Sequence, residues 1–497
     1  MKTRNRAFMK TSLKNLYIPP VLIAWLGLLL AGRAAAQTFT NLHNFTGPDG
    51  ENPQAGLIIS GNTLYGACDS GGGSRIGTVF AVNTNGTGFT NLYNLTAPPG
   101  FSSSDSSPSS TNSDGAYPDG TMTLSGNTLY GTAYFGGSAG AGTVFAVNTN
   151  GTGFTNLHSF AAGSGSFPQN YTNSDGACPE AGLVISGNTL YGTTEKGGSS
   201  GLGAVFKVNS NGTGFTNLHS FTGGTNGAVP EGLALSGSTL YGEAGGLYSG
   251  DDGTVFKVNT DGTSFTNLHS FAAGSWPSAL VLSGNTLYGT TYNGGSAGNG
   301  TVFAVNTNGT GFTNLYTFTA TSGPLSTNSD GANPMGPMIL SGNILYGTTY
   351  NGGSSGNGAV FALNTNGTGF TTLYAFTAES SGINSDGANP QAGLILSGDT
   401  LYGTAQYGGS SGYGTVFSIT LPSVILSAPQ ITGKTNFTFV LSGPAGSNCV
   451  LQASTNLLST NLLNWSPIST STLPVSGSLH LTNAISGSRR FYRVFMQ

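Results

Sequence analysis

The sequence predicts an all-β fold: a seven-bladed β-propeller followed by a small C-terminal β-sandwich. Three observations point there. The tripeptide Leu-Tyr-Gly recurs with its tyrosine at Tyr65, Tyr130, Tyr191, Tyr241, Tyr288, Tyr346 and Tyr402, at intervals of 47 to 65 residues, a period typical of propeller blades or solenoid coils. Each repeat contains four short runs rich in β-branched and aromatic residues, punctuated by Gly, Asn and Ser, which are strand and turn signals. The 497 residues include 81 glycines and only 6% charged residues, and each glycine inside a helix would cost roughly 1 kcal/mol.

The fifth repeat shows the elements in order. Its runs are "ALVLSG" (279–284), "TLYGTTY" (286–292), "GTVFAVN" (300–306) and "GFTNLYTF" (311–318), here termed strands a to d. Ser-Gly-Asn joins a to b, and "NTNGTG" places Asn308-Gly309 where a two-residue hairpin turn needs positive φ. The Asn-Gly-Thr triplets also match glycosylation acceptors, but the turn accounts for them without a sugar. Four antiparallel strands repeated seven times, between roughly 38 and 422, match a seven-bladed propeller.

Ring closure can be read from the ends of the repeat array. "FTNLHNF" (39–45) is a d-type run that precedes any a strand, whereas the last repeat stops at "TVFSIT" (415–420) with no d strand after it. If the first run fills the last vacancy, all seven blades have four strands; a linear solenoid would leave that run orphaned.

Before the repeats, Lys2, Arg4, Arg6, Lys10 and Lys14 precede the apolar run Val21 to Leu30, and Ala34-Ala35-Ala36 fits a cleavage site. Residues 1–36 therefore read as a signal peptide, residues 37–422 as the propeller and residues 423–497 as the sandwich. An uncleaved anchor is the alternative, although the apolar core is short for a full span. The mature chain is expected to be secreted, periplasmic or on the cell surface, with no membrane span once the signal is removed. Beyond the leader, 8 basic residues face 18 acidic ones, a net charge of −10. That argues against a nucleic-acid partner. Cys68, Cys178 and Cys449 are too far apart to suggest a disulfide framework, and a single bridge, the alternative, has no spacing to support it.

The order of runs resembles quinoprotein-type and kelch-type propellers. More specifically, "GLILSG.TLYGT...GG..G.GTVFAVNTNGTGFTNLYSF" resembles the GloVer tandem-repeat family of exported bacterial proteins over about three quarters of the chain. That resemblance implies export with a variable C-terminal anchor and no settled activity. Quinoprotein propellers dock blades through recurrent tryptophans, and only Trp276 and Trp465 follow the leader, so quinone chemistry is not expected. The end of the chain, through "LQASTNL", Trp465 and "RRFYRV", is similar to a sandwich module of exported bacterial proteins. That module usually has an aromatic where Cys449 stands, which implies a core role for the cysteine.

Residues that could carry chemistry are few. His43, His158, His219 and His269 share one slot of strand d with Tyr93, Tyr316 and Tyr374, as packing residues would. The "GGSAGNG" runs lack the helix and the Lys-Ser/Thr of a phosphate loop. His480 has no recurring Ser or Cys partner for a triad. "DG" loops before strand a recur at Asp49, Asp114, Asp175, Asp330 and Asp386, and such oxygen-rich loops either bind Ca²⁺ or simply make Asx-type turns. No other cofactor is expected.

In an up-and-down blade the b–c and d–a connections share one face. Here that face carries the length variation, the Asp series and the loop aromatics Tyr134, Tyr292, Tyr350 and Tyr407, so a binding site is expected there. The leading expectation is a non-enzymatic binding or scaffold protein whose partner is an extracellular polysaccharide or another surface protein. A carbohydrate-active lyase or hydrolase using paired carboxylates on that face is the alternative. A structural envelope protein without a small ligand is the third reading.

Overall fold

The computed structural model describes residues 37–98, 111–165, 171–245, 253–272 and 274–422, followed by six further strands. The leader, most of the long loop after blade 1, and Trp465 lie outside the described residues. The chain divides into a propeller unit, Gln37–Leu421, and a second unit that contains Pro422–Gln497.

The propeller has seven four-stranded antiparallel sheets. In blade 1, strands a to d are Ile58–Ser60, Thr63–Cys68, Thr78–Asn83 and Thr90–Asn94, hydrogen-bonded in that order. Blade 7 takes Ile395–Ser397, Thr400–Ala405 and Thr415–Thr420 from the end of the array and Thr38–Asn44 from its start. The N-terminal strand runs antiparallel to the last c strand, from Thr38 opposite Thr420 to Asn44 opposite Thr415. The orphan run of the sequence thus closes the ring.

Strands b and c do not alternate polar and apolar residues, because each blade is covered by a neighbour on both faces. In "TVFAVN" of blade 1 the first five residues are buried. In "TLYGAC" the last five are buried. The Leu-Tyr-Gly glycine has a packing role: a Cβ on Gly289 would lie 2.5 Å from the ring of Phe303 on strand c. Strand d, at the perimeter, is half-exposed, and each c–d pairing contains a register shift opposite the Val-Phe step, as at Val144/Phe145. Such a bulge adds local twist.

The seams between blades are aromatic. The His or Tyr slot of each d strand stacks on a phenylalanine of the next blade: His43 on Phe89 at 3.6 Å, Tyr93 on Phe154 at 3.9 Å, His158 on Phe215 at 3.7 Å. The series continues through His219 on Phe265, His269 on Phe312 and Tyr316 on Phe370, and ends with Tyr374 on Phe39 at 4.1 Å. Phe39 belongs to the N-terminal strand, so the seventh stack exists only because the ring is closed. Edge-to-face pairs such as Phe160–Phe206 at 5.3 Å reinforce six of the seams, each aromatic pair adding about 0.5–1.5 kcal/mol beyond burial. These rings do the docking that recurrent tryptophans do elsewhere.

The glycine preceding each c strand is also a seam residue. A Cβ on Gly300, at φ +96, would lie 2.6 Å from Cδ of Pro334 in the next blade. The corresponding glycine and proline meet at all seven seams, from Gly77 with Pro118 round to Gly414 with Pro53.

In the second unit, Ile425–Thr432, Asn436–Ser442 and Ser478–Ala484 form one three-stranded antiparallel sheet. Ser466–Thr472, Asn448–Ser454 and Phe491–Met496 form another. Leu441 and Cys449, one from each sheet, are buried with Leu479 and Leu481 against them. Among the described residues no helix is long and apolar enough to cross a membrane.

Candidate functional site

The Asp series belongs to the seams. The Asp49 carboxylate meets Nε2 of His43 at 3.0 Å and accepts from the Thr46 amide at 2.7 Å. Asp114 accepts from Tyr93 Oη and the Thr96 amide, both at 2.9 Å. Asp175 meets His158 at 3.0 Å. Asp330 and Asp386 accept from Tyr316 and Tyr374 at 2.9 and 2.7 Å. Each Asp therefore holds the ring that stacks on the next blade, and Asn226 does the same for His219 at 3.2 Å. Among the described residues no group of three or more His, Cys, Asp or Glu is disposed to hold a metal ion.

The axis of the ring is different. A cavity of about 300 Å³ lies there, and all its lining residues follow the proline that opens each a strand. The slot after that proline holds Gln54, Asp119, Glu180, Glu231, Ser278, Met335 and Gln391 in blades 1 to 7. All but Ser278 line the cavity. Blades 2, 3 and 4 thus contribute three carboxyls together with Met122, Leu183, Val184 and Leu233, whereas blades 5 and 6 contribute Leu280, Met335 and Pro337 and no charge. Ser278 donates to the Met335 carbonyl at 2.6 Å.

A second ring sits four residues after each Leu-Tyr-Gly tyrosine. It comprises Asp69, Tyr134, Glu195, Gly245, Tyr292, Tyr350 and Gln406. The backbone fixes these positions. Their amides donate to the carbonyl of the residue before the proline: Tyr134 to Tyr117 at 2.9 Å, Glu195 to Cys178 at 3.0 Å, Tyr292 to Trp276 at 2.7 Å. In six blades that pre-proline residue has positive φ, including the β-branched Val229 at 56°, a conformation L residues rarely adopt. Its own amide reaches the preceding blade, as Cys178 does to Ala141 at 2.8 Å. The strained backbone therefore links adjacent blades and aims the second ring.

The proposed tyrosines separate into two groups. Tyr292, Tyr350 and Tyr407 lie on blades 5 to 7. The Tyr292 hydroxyl lies near the Asn351 side chain and that of Tyr350 near Tyr407, while Trp276 stacks on Tyr292 at 5.5 Å. Tyr407 is 38% exposed. Tyr134 lies instead among the acidic blades and donates to the Glu195 carboxylate of blade 3.

Sequence reasoning missed the carboxyls. Asp69, Asp119, Glu180, Glu195, Glu231 and Glu243 are six of the chain's 18 acidic residues, gathered on blades 1 to 4. Lys196 pairs with Glu195 at 2.7 Å. Asp69 and Asp119 hydrogen-bond each other, which requires that one of them hold a proton. Burial, helped by the Glu51 charge, lifts Asp69 to about 6. Burial and the charges of Asp69 and Glu180 push Asp119 well above the usual carboxyl range. Glu180 is reached by solvent along the bore, but the surrounding walls and the Glu195 charge lift it to about 7. Burial and Glu180, Glu243 and Glu195 push Glu231 up as well. Aligning the post-proline slot across repeats would have exposed this departure from the consensus.

A sequence family described as the Gloeobacter/Verrucomicrobia repeat matches residues 102–244 and 324–458, more than half of the chain. The chain belongs to this family. No curated protein matches the sequence. Among solved structures this repeat protein is similar to an oligogalacturonate lyase in complex with manganese, with 14% identity over 77% of this chain and 93% of that one and a TM-score of 0.46. It is also similar to the oligogalacturonate lyase of Vibrio parahaemolyticus, at 13% identity over 78% and 97% of the two chains with a TM-score of 0.47. A puromycin-hydrolyzing peptidase of Mycobacterium tuberculosis matches at 10% identity over 80% and 58%, with a TM-score of 0.48. Likeness at this level assigns this chain no activity.

Proposed function

We propose that this repeat protein is an exported, non-enzymatic binding propeller that retains polysaccharide at the loop-rich mouth of its channel, with the C-terminal unit as a β-sandwich module. The observation that carries the reading is the axial cavity, whose three carboxyls all come from blades 2 to 4 and stand among apolar side chains such as Met122, Leu183, Leu280 and Met335. A sugar ring offers both kinds of surface, since its hydroxyls donate to carboxylates and its C–H face suits an apolar or aromatic wall. In this reading the tyrosines of blades 5 to 7 add aromatic surface for the sugar beyond the cavity. The leader sequence supports export. A glycan array on the mature chain tests the reading, followed by the double variant Tyr292→Ala/Tyr350→Ala. The variant is expected to lose at least about tenfold in glycan affinity, the loss of roughly 1.4 kcal/mol, while keeping its melting temperature. Unchanged retention, or a variant that fails to fold, assigns these tyrosines to the scaffold.

One observation favours a second reading, a carbohydrate-active enzyme. Glu180 near 7 and Asp69 near 6 have the raised values that suit general acids. New reducing ends or unsaturated products, formed by the wild type and abolished in Glu180→Gln, would replace the binding reading with this one.

A further inference from the structure

We propose that the loop-rich face of blades 5 to 7 is a preorganised aromatic platform for an uncharged polysaccharide, and that it discriminates against uronate-containing chains. This rests on the polysaccharide reading above and names its ligand class.

The first observation is where apolar surface is left uncovered. Among the described residues the exposed large apolar and aromatic side chains are Phe312, Leu325, Ile383, Tyr407 and Tyr413, all of them within blades 5 to 7 and the connections between them. Four of the five stand on d–a or b–c connections, as Tyr292 and Tyr350 do, and so share one face of the ring. Single exposed apolar residues are ordinary, but their confinement to one sector of one face marks an interaction surface.

The second observation is charge. No Lys or Arg occurs between Lys257 and Lys434, the stretch that supplies blades 5 and 6 and three strands of blade 7. Arg75, an exposed cation on the same face, belongs to blade 1. Of the acids on the connections of this stretch, Asp330 and Asp386 are held by seam tyrosines, which leaves Glu379. A uronate unit brings a carboxylate that finds no cation in this sector and a like charge at Glu379, so its desolvation is not repaid. A neutral sugar unit brings hydroxyls, which need no counter-charge.

The third observation is that the platform is fixed before any ligand arrives. Asn333, the residue before the blade 6 proline, donates to the Tyr292 carbonyl at 3.0 Å and to Asn293 Oδ1 at 3.3 Å, and accepts from Asn351 at 3.1 Å. Asn389, its counterpart in blade 7, donates to the Tyr350 carbonyl at 2.8 Å. These amides tie the backbone of each tyrosine to the next blade, while Trp276 stacks on the Tyr292 ring. In blades 2 to 4 the same slot holds Tyr117, Cys178 and Val229, which have no side-chain amide to build such a ladder. Rings already held in place give up little freedom when a sugar stacks on them.

The test is a tryptophan-fluorescence titration of the full mature protein, whose tryptophans are Trp276 and Trp465. The probes are two uncharged polymers, galactomannan and mixed-linkage β-glucan, and two uronate polymers, polygalacturonate and alginate. The uncharged polymers are expected to shift the emission and to bind at least about tenfold more tightly than the uronates. Their affinity is expected to change less than about twofold between about 50 and 500 mM NaCl, since no ion pair is made. Trp276→Phe is expected to keep the binding, followed by calorimetry, and to lose the shift. Uronates that bind as tightly as the uncharged polymers overturn this inference and leave the polysaccharide reading standing. Binding of an uncharged polymer with no emission shift, or with a shift that survives Trp276→Phe, does the same. Absence of binding by all four polymers overturns both. The comparison of polymers uses the wild-type chain, so the inference stays open to refutation if the variant misfolds.

Discussion

At the seams between blades the seven repeats place nearly the same groups seven times. A His or Tyr stacks on a Phe, as His158 does on Phe215 at 3.7 Å. A glycine such as Gly300 leaves room for the proline of the next blade. Along the axis the same repeats diverge at one slot, reading Gln54, Asp119, Glu180, Glu231, Ser278, Met335 and Gln391. The difference follows from what each position touches. A seam residue meets a copy of the same surface in the next blade, so any departure must be matched by its neighbour. A channel residue faces an open bore and is free to differ from blade to blade. The seam therefore makes the ring, and the channel is where the ring differs from one blade to the next.

Ring closure is the strongest test of the seam half of this comparison. Deleting residues 38–46 removes the fourth strand of blade 7, the Phe39 ring that stacks on Tyr374 and the buried Phe45. It leaves Thr415–Thr420 as a bare edge open to pairing with other chains. The expected loss is above about 5 kcal/mol, a large part of an ordinary stability margin, with aggregation visible by sedimentation velocity. A truncated chain that stays monomeric and melts within about 2 °C of the intact protein would show that closure does not hold the ring together.

How much of this was legible follows the same division. Periodicity, the hairpin turns and the orphan "FTNLHNF" run were visible because they repeat, and repetition is what sequence reading detects. The shared His/Tyr slot was legible as packing for the same reason. The Asp loops were visible as loops, but their role was not. The donors to Asp114 come from Tyr93 and Thr96, 21 and 18 residues earlier, so only the fold shows them meeting. The carboxyls of the channel escaped because each occurs in a different blade and none forms a motif. Their pairing is a product of ring symmetry, which brings Asp119, Glu180 and Glu231 together although they are 61 and 51 residues apart in sequence. Tyr134 was grouped with Tyr292 and Tyr350 by its offset alone, whereas its partner Glu195 sets it among the acids.

The channel half is sharpened by pH. Asp69 and Glu180 are lifted from 3.8 to about 6 and from 4.5 to about 7. A carboxyl with a folded pKa above its unfolded value binds more protons in the folded state between the two values. Its contribution to stability is therefore best at low pH and falls as pH rises through roughly 4 to 7. Glu180→Gln fixes one group in its neutral form. The variant is expected to melt about 1 °C higher than wild type at pH 8, the shift that roughly 1 kcal/mol gives at about 2.1 cal/mol/K per residue over a unit as long as Gln37–Leu421, with no advantage at pH 4. Differential scanning calorimetry at the two pH values measures this as a difference of differences, which cancels the titration of the seam histidines. An equal shift at both pH values would mean that Glu180 acts through packing and not through charge.

The smallest expected effect concerns Ca²⁺, and it separates the two regions by their unused oxygens. A seam Asp has little capacity left for a metal. Asp49 is engaged by His43 at 3.0 Å, by the Thr46 amide at 2.7 Å and by the Thr46 hydroxyl at 2.8 Å. Asp114 has the same three kinds of donor from Tyr93 and Thr96. Ca²⁺ needs six to eight oxygens at 2.3–2.6 Å, so entry would require these donors to leave and the stacked ring to lose its anchor. A cation that binds only the folded state raises the melting temperature by mass action, by about 2.7 kcal/mol at a hundred times its Kd. Melting curves in 5 mM Ca²⁺ and in chelator are expected to coincide within about 1 °C. A rise of several degrees that Asp114→Asn and Asp330→Asn abolish would move the Asp loops from the seam to the list of ligand sites, and the contrast between a uniform perimeter and a variable axis would no longer locate function.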